Sequence, residues 1–187
     1  MGAPVTPQIR PATTADAPAL AAIYGHHVVH GVGTFEEAPP GAKEVAARLA
    51  AVQARGLPYL VAEAEGEVAA LAYAAPFRLR AAYRYTVEDS VYVAPHRLGQ
   101  GLGKAVLAEV IKACEALGLR QMVALIGDSG NAGSVGVHAA LGFRQAGVMQ
   151  GVGFKNGRWL DVVVMQRSLS SGAEGAPSAE GLNLSGA

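Results

Sequence analysis

The chain has 187 residues, enough for one domain with a substantial core, and its 15 Lys+Arg balance 15 Asp+Glu to a formal net charge of zero. Without a basic surplus, neither nucleic acid nor an anionic membrane is an expected partner, so any anion site has to be local. The single cysteine, Cys114, excludes an internal disulfide and a cysteine-based zinc site, no metal site is expected, and no apolar run reaches the roughly 20 residues that span a bilayer.

The start of the chain lacks the charged-then-apolar order of a secretory signal. Residues 1–6 formally match a myristoylation start, but two fixed positions in a Gly/Ala-rich chain carry little weight, and a cytoplasmic protein is the expectation. Residues 8–12 read as a short strand. Thr13, Thr14 and Asp16 offer capping side chains for a helix to about His30, with Pro18 tolerable in its first turn. Gly31-Val32-Gly33-Thr34-Phe35 breaks that helix. A second helix over residues 42–55 carries Val45, Leu49 and Val52 on one face and stops at Gly56. Strands over 59–64 and 68–75 follow, joined by Glu65-Gly66-Glu67, then an Arg- and Tyr-rich loop over 76–85 and a strand over 86–94. Beyond a glycine-dense loop, residues 105–117 form a helix with Leu107, Val110, Ile111, Cys114 and Leu117 at helical spacing, which makes Cys114 a small core residue. A strand over 121–126, a short helix over 131–141, and strands over 143–150 and 159–169 complete the pattern, with Asn156-Gly157 a hairpin-turn signal. No internal repeat is present. The element order gives one mixed α/β domain over residues 1–169, a single twisted sheet flanked by helices. Residues 170–187, of Gly, Ser, Ala, Pro and Glu, have little to bury and are expected to form a mobile tail.

The most informative stretch runs from Val91 to Lys104: a β-branched and aromatic strand, a glycine loop, then a helix. Unpaired N–H groups at a helix N-terminus suit an anionic phosphate, and glycines let backbone approach it. A P-loop is excluded, because Leu98 occupies its first glycine position and Ala105 its hydroxyl position. For a dinucleotide fingerprint, the third glycine of Gly99-Gln100-Gly101-Leu102-Gly103 comes one place early. The third pattern, Gln/Arg-x-x-Gly-x-Gly/Ala, is the pyrophosphate loop of the Gcn5-related N-acetyltransferases. Gly101 and Gly103 fit it; Leu98 stands where Gln or Arg is usual, with Arg97 one residue early. A glycine-rich turn with no ligand fits the loop alone about as well.

Four further segments resemble one branch of that family, the phosphinothricin and methionine sulfoximine N-acetyltransferases. They are Pro76-Phe77-Arg78-Leu79-Arg80-Ala81-Ala82-Tyr83, Thr86-Val87-Glu88-Asp89-Ser90-Val91-Tyr92-Val93, the stretch from Asn131 to Phe143 containing Ser134 and His138, and the stretch from Gly153 to Asp161. They occur in order and in register, which is far more specific than one glycine motif.

The resemblance implies acetyl-CoA as donor and a primary amine as acceptor. Backbone of Val91, Tyr92 and Val93 would meet the pantetheine arm. Arg97, Gly99, Gln100, Gly101, Leu102, Gly103 and Lys104 would surround the pyrophosphate. Asn131 and Ser134 would meet the pantetheine from the next helix, although Asn131 also suits an ordinary helix cap. Glu88 matches the branch's proposed general base, and buried surroundings would raise its pKa; its plain alternative is a surface glutamate on a half-exposed strand. His138, seven residues after Asn131, is either the acid for the leaving thiolate or a packed helix residue with a satisfied ring. Asp89 should point away from Glu88 by strand alternation. A backbone N–H of the 91–93 strand would hold the carbonyl oxygen. Phe35, Phe77, Arg78, Arg80, Tyr83, Thr86 and Val87 would shape the acceptor site, the two arginines suiting a carboxylate. The implied reaction is direct attack by the α-amine of a small amino acid, without an acyl-enzyme, in a homodimer. A protein or polyamine acetyltransferase and a non-catalytic acyl-CoA-binding regulatory domain are the alternatives.

Overall fold

In the computed structural model, residues 6–184 are described; residues 1–5 and 185–187, and with them nearly all of the formal lipidation match, lie outside. The chain order is β1 (Gln8–Pro11), α1 (Ala17–His30), α2 (Ala42–Ala54), β2 (Tyr59–Ala64), β3 (Glu67–Pro76), β4 (Thr86–Val93), α3 (Leu102–Ala116), β5 (Gln121–Gly127), α4 (Ala132–Ala140), β6 (Arg144–Lys155) and β7 (Arg158–Ser168). These strands form one sheet in the order β1-β2-β3-β4-β5-β7-β6. Every neighbouring pair is antiparallel except β4 with β5, whose parallel pairing requires the α3 crossover.

Each face of the sheet carries its own core. On one face, α3 lays Leu102, Val106, Leu107, Val110, Ile111 and Cys114 against the alanines of β2 and β3, Val87, and Met122 and Ala124. The small β3 side chains let this helix sit close, and a Cβ on Gly103 would lie 3.0 Å from Val93 Cγ2. On the other face, Leu20 and Ile23 of α1 and Val45 and Leu49 of α2 cover Tyr59, Val61 and Leu71. Among the described residues, no helix is long and apolar enough to cross a membrane.

The pairing that places the site is short. β4 and β5 are joined only from Thr86–Gln121 to Asp89–Ala124, four pairs, and then part. β3 stays paired with β4 to Val93, so beyond Asp89 the β5-facing edge of β4 has no strand beside it.

Most boundaries agree to within a residue or two, and three features depart further from the sequence expectation. Helix α3 begins at Leu102, because Gly101 takes a left-handed φ of 78° as its N-cap and Leu102 and Gly103 are buried. Strand β6 runs past residue 150 to Lys155 through register shifts at Gln145/Gly147 and Met149/Gly153; it is almost wholly exposed, so it has no alternating pattern to read. Residues 170–184, read as having little to bury, lie on the body through polar contacts and through Leu182, which packs against the core. Arg120 Nε donates to Gly172 O at 2.6 Å, Tyr85 Oη to Ala179 O at 2.8 Å, and the Leu182 N–H to Arg84 O at 2.8 Å.

The first strand is tied to the first helix by charge. Arg10 reaches both oxygens of Asp16 at 2.8 and 2.9 Å, and the Thr13 N–H donates to Asp16 at 2.7 Å. The Arg10 hydrogen bond, opposed by burial and aided by Thr13, holds the Asp16 pKa down at about 2. A depressed folded pKa contributes stability that is complete above the unfolded value and lost as pH falls through the folded one. Asp16→Asn should therefore lower the unfolding free energy at pH 7 by about 2 kcal/mol, a difference that closes as the pH falls from about 4 to about 2. Urea denaturation across that range measures it, and a pH-independent difference would contradict the assignment.

Candidate active site

The parting of β4 and β5 opens a cleft of about 1000 Å³. Its walls are the exposed edge of β4, residues from the loop between Arg97 and Lys104, the end of β5, and the first turns of α4. One carbonyl of the β4 edge is already taken: Val93 O accepts from His27 Nε2 of α1 at 2.8 Å. Burial lowers the His27 pKa, which keeps this ring neutral near pH 7.

At one wall, Gly99 and Gly101 have φ of 75° and 78°, conformations that favour glycine. Ala105 N is the first amide of α3 to pair, with Gly101 O, so the N–H groups of Leu102, Gly103 and Lys104 have no partner within the helix. Leu102, Gly103 and Lys104 all line the cleft. Arg97 lines the cleft as well. Its guanidinium is paired with Glu65 at 2.6 Å and Glu67 at 2.8 Å, so within the protein its charge is already balanced. Gln100 is exposed and lies outside the cleft wall.

Strand alternation divides the β4 side chains between the two faces. Glu88, Ser90 and Tyr92 share one face; Val87, Asp89, Val91 and Val93 share the other, beside α3. Glu88 is half-buried, and burial raises its pKa; Arg78, with Nη1 3.9 Å from the carboxylate, pulls it down, and Asp89 pushes it up. Val87 is corrected from acceptor contact to core residue: it is 0% exposed and packs under α3. Thr86 also lies outside the cleft wall, its carbonyl accepting from the Phe77 N–H at 3.2 Å. Arg78 lies 4.1 Å over the Phe77 ring, and Tyr83 meets that ring edge-on at 5.7 Å. Phe77, Arg78, Tyr83 and the exposed Arg80 belong to a loop that borders Glu88 without lining the cleft itself, whereas Phe35 lines it.

Asp89 is the acid whose role the sequence did not reveal. It meets His138 Nε2 at 2.9 Å, and His138 Nδ1 donates to Ser134 O at 2.8 Å. Both side chains are buried. Burial alone would lower the His138 pKa, but the hydrogen bond and charge of Asp89 raise it above the usual histidine range; burial raises Asp89, against the pull of His138. Both ring nitrogens of His138 are thus engaged within the protein, which is the geometry of a packed helix residue with a satisfied ring. Asp89 Oδ1 is the one buried side-chain polar atom among the described residues with no hydrogen-bond partner, and Asp89 lines the cleft. Asn131 caps α4, accepting from the Ser134 N–H at 3.2 Å, and Asn131 and Ser134 both face the cleft. Alternation placed Asp89 opposite Glu88; that it had to find a partner on α4 follows only from its burial. No group of three or more His, Cys, Asp or Glu that could hold a metal converges among the described residues.

Residues 9–164 match the acetyltransferase (GNAT) domain family. The phosphinothricin N-acetyltransferase of Alcaligenes faecalis is 55% identical over 157 residues, covering 84% of this chain and 80% of that protein. The L-methionine sulfoximine/L-methionine sulfone acetyltransferase of Salmonella typhimurium is 40% identical over 171 residues, covering 91% of this chain and 98% of that one. Among solved structures, a phosphinothricin acetyltransferase from Sinorhizobium meliloti in complex with acetyl-CoA superposes with a TM-score of 0.89 at 45% identity, over 92% of this chain and 94% of that chain.

The Asp89–His138 pair makes a stability test independent of ligand. Removing one member of a buried charged pair leaves the other unpaired and costs about 3–5 kcal/mol, whereas removing both together is far less damaging. His138→Gln should destabilise by that order, and Asp89→Asn/His138→Gln by less than the sum of the single changes, in a denaturant double-mutant cycle. Additive losses would mean that the pair is not coupled.

Proposed function

The chain belongs to the GNAT acetyltransferase family and is an acetyl-CoA-dependent N-acetyltransferase, and we propose that its acceptor is the α-amine of a small amino acid or analogue of the methionine sulfoximine, methionine sulfone or phosphinothricin kind. The observation that carries this reading is Glu88: a half-buried carboxylate with a raised pKa, on a cleft-lining strand, with a guanidinium 3.9 Å away. An α-ammonium is not a nucleophile, so a base has to accept one of its protons first. Glu88 takes that proton, and Arg78 stands beside it to meet the acceptor carboxylate. Exposed Arg80 in the same loop adds positive charge at the rim, which also disfavours polycationic acceptors.

The freed amine attacks the thioester carbon. Charge developing on the carbonyl oxygen is met by a backbone N–H from the Val91–Val93 stretch, which has no strand on its β5 side. The C–S bond breaks, and the second proton of the attacking nitrogen leaves with the thiolate. No serine or cysteine nucleophile is needed; Cys114 is buried, and its thiol pKa is pushed up to about 12 by burial. The N–H groups of Leu102, Gly103 and Lys104, with the Lys104 ammonium, hold the pyrophosphate, and Asn131 and Ser134 flank the pantetheine. We assign His138 to positioning rather than proton donation: with Asp89 and Ser134 occupying its ring, it fixes the α4 wall.

We place the enzyme in the cytoplasm, where acetyl-CoA is supplied, and read it as a homodimer with residues 1–169 as the catalytic unit. Support for pairing comes from β6, which is an edge strand, and from Val148, Met149, Val152, Phe154 and Trp159, all exposed on the β6–β7 hairpin.

Acetyl-CoA should raise the melting temperature by mass action, worth about 2.7 kcal/mol at 100 times its dissociation constant. Gly101→Val should abolish the shift, because a β-branched residue is strained at φ 78°. An unmoved melting temperature would remove the loop from the account. Turnover across a panel of amino acids, their carboxamides, polyamines and a peptide N-terminus tests the acceptor class; preference for polyamine would overturn the proposal.

Glu88→Gln should lower kcat/KM at neutral pH by about 10²–10⁴-fold while acetyl-CoA binding persists. The sign with pH is fixed by the raised pKa: the active carboxylate form appears as pH rises through it, so wild-type activity climbs there. The variant should climb only where the amine itself deprotonates, so the deficit narrows at high pH. A variant with near-normal neutral turnover would rule Glu88 out as the base.

A further inference from the structure

The segment of residues 31–35 leaves α1 and crosses the end of β5, forming part of the cleft wall. It has almost no apolar anchorage of its own: Thr34 is its one buried residue, and Gly33 and Phe35 are exposed. It is nevertheless fixed on both sides. Toward the helices, Thr34 Oγ1 meets Tyr24 Oη at 2.9 Å, Tyr24 Oη donates to Glu36 at 2.8 Å, and Arg48 grips Glu36 at 2.7 and 3.1 Å. Toward the sheet, Lys155 at the end of β6 donates from Nζ to Thr34 O at 2.8 Å. Lys155 is only 3% exposed. Burial lowers its pKa, opposed by the nearby carboxylates of Glu37 and Glu36. A lysine so placed loses its hydration for one carbonyl contact and needs those carboxylates as counter-charge.

Two glycines complete the seat. A Cβ on Gly153 would run into the Phe35 ring, and a Cβ on Gly127 would collide with Val32 O and lie 3.1 Å from Phe35 Cε1. Neither glycine has a left-handed φ, so close approach, not backbone conformation, is what requires them. The Phe35 ring thus lies against Gly127 of β5 and Gly153 of β6, two strands separated by β7, in the same wall as Met149 and Val162.

We propose that Lys155 and Gly153 are specificity-determining residues: they seat the 31–35 strap so that Phe35 closes the apolar end of the cleft and limits the length of the acceptor side chain it admits. The inference rests on the reading that the cleft takes a small amine acceptor. Lys155 and Gly153 are positioning residues; Phe35 is the group that touches the acceptor. The fold depends little on them, since the strap is not core.

The test uses the full-length chain with acetyl-CoA and a series of primary amines of graded side-chain length, including amino acids, their carboxamides and a peptide N-terminus. Lys155→Met and Gly153→Ala should change the ratio of kcat/KM for long over short acceptors at least tenfold, mainly through the acceptor KM. The acetyl-CoA KM should stay within about twofold, and Lys155→Arg should restore part of the wild-type ratio. Phe35→Ala should shift the ratio the same way, and Lys155→Met should add little on that background. Hydrogen exchange of the peptide containing residues 31–36 should quicken in Lys155→Met. An unchanged ratio in both Lys155→Met and Gly153→Ala, full additivity with Phe35→Ala, or unchanged exchange would each overturn the proposal. If wild type prefers amines without a carboxylate, the acceptor class in the preceding section falls, while the length dependence still decides the role of the seat.

Discussion

The four-pair limit on the β4–β5 ladder is the constraint from which the site follows. A parallel pair in the middle of a sheet ordinarily continues until both strands end. Here it stops at Asp89 and Ala124, while β4 stays paired with β3 to Val93 and β5 stays paired with β7 to Gly127. Each strand is held by its outer neighbour, so the gap is flanked by paired strands on both sides. Backbone groups that would have paired across it face a cavity instead, and unsatisfied backbone polarity is costly unless something else binds it. The α3 N-terminus and the Asn131 cap open onto the same gap because both helices begin where their strands end.

Adjacent residues on β4 show how one strand can keep two acids in different states. Glu88 and Asp89 are consecutive, so they face opposite sides of the sheet. Glu88 remains half-buried with a guanidinium near it. Asp89 is driven into the α3–α4 side, where its Oδ2 pairs with His138 and, among the described residues, its Oδ1 has no partner. Burial raises both carboxyls, but one stays partly open to solvent and the other is enclosed against a helix.

Element types and most boundaries were legible because the patterns are local: the capping residues before α1, the helical spacing of Leu107, Val110, Ile111 and Cys114, and the Asn156-Gly157 turn, whose φ values are 52° and 75°. The glycine loop was legible as a strand-to-helix connection, and the four matching segments gave the family. Long-range commitments were not. Nothing near Arg97 in sequence announces Glu65 and Glu67 more than 25 residues earlier, and nothing near Lys155 announces Thr34. Val87 sat inside a matching segment, yet its face of β4 turns to the core. Phe35, read as an acceptor contact, lies in the cleft wall, while the two glycines that make room for it carry no signal of their own in a chain with 24.

The contact of the Leu182 N–H with Arg84 O, and of Tyr85 with Ala179, has a consequence for the order in which the molecule is made. The Arg78-bearing loop ends at Arg84 and Tyr85, and its C-terminal brace is encoded about a hundred positions downstream. On the ribosome, that loop emerges and its flanking strands can pair long before the segment that ties it down exists. The rim beside Glu88 is therefore among the last parts of the protein to be secured, by hydrogen bonds to main-chain carbonyls together with Leu182, which packs against the core. The segment's Gly, Ser and Ala composition therefore hides two fixed positions, the apolar Leu182 and Gly181, whose left-handed φ of 77° and closeness to Tyr85 and Arg84 leave no room for a Cβ.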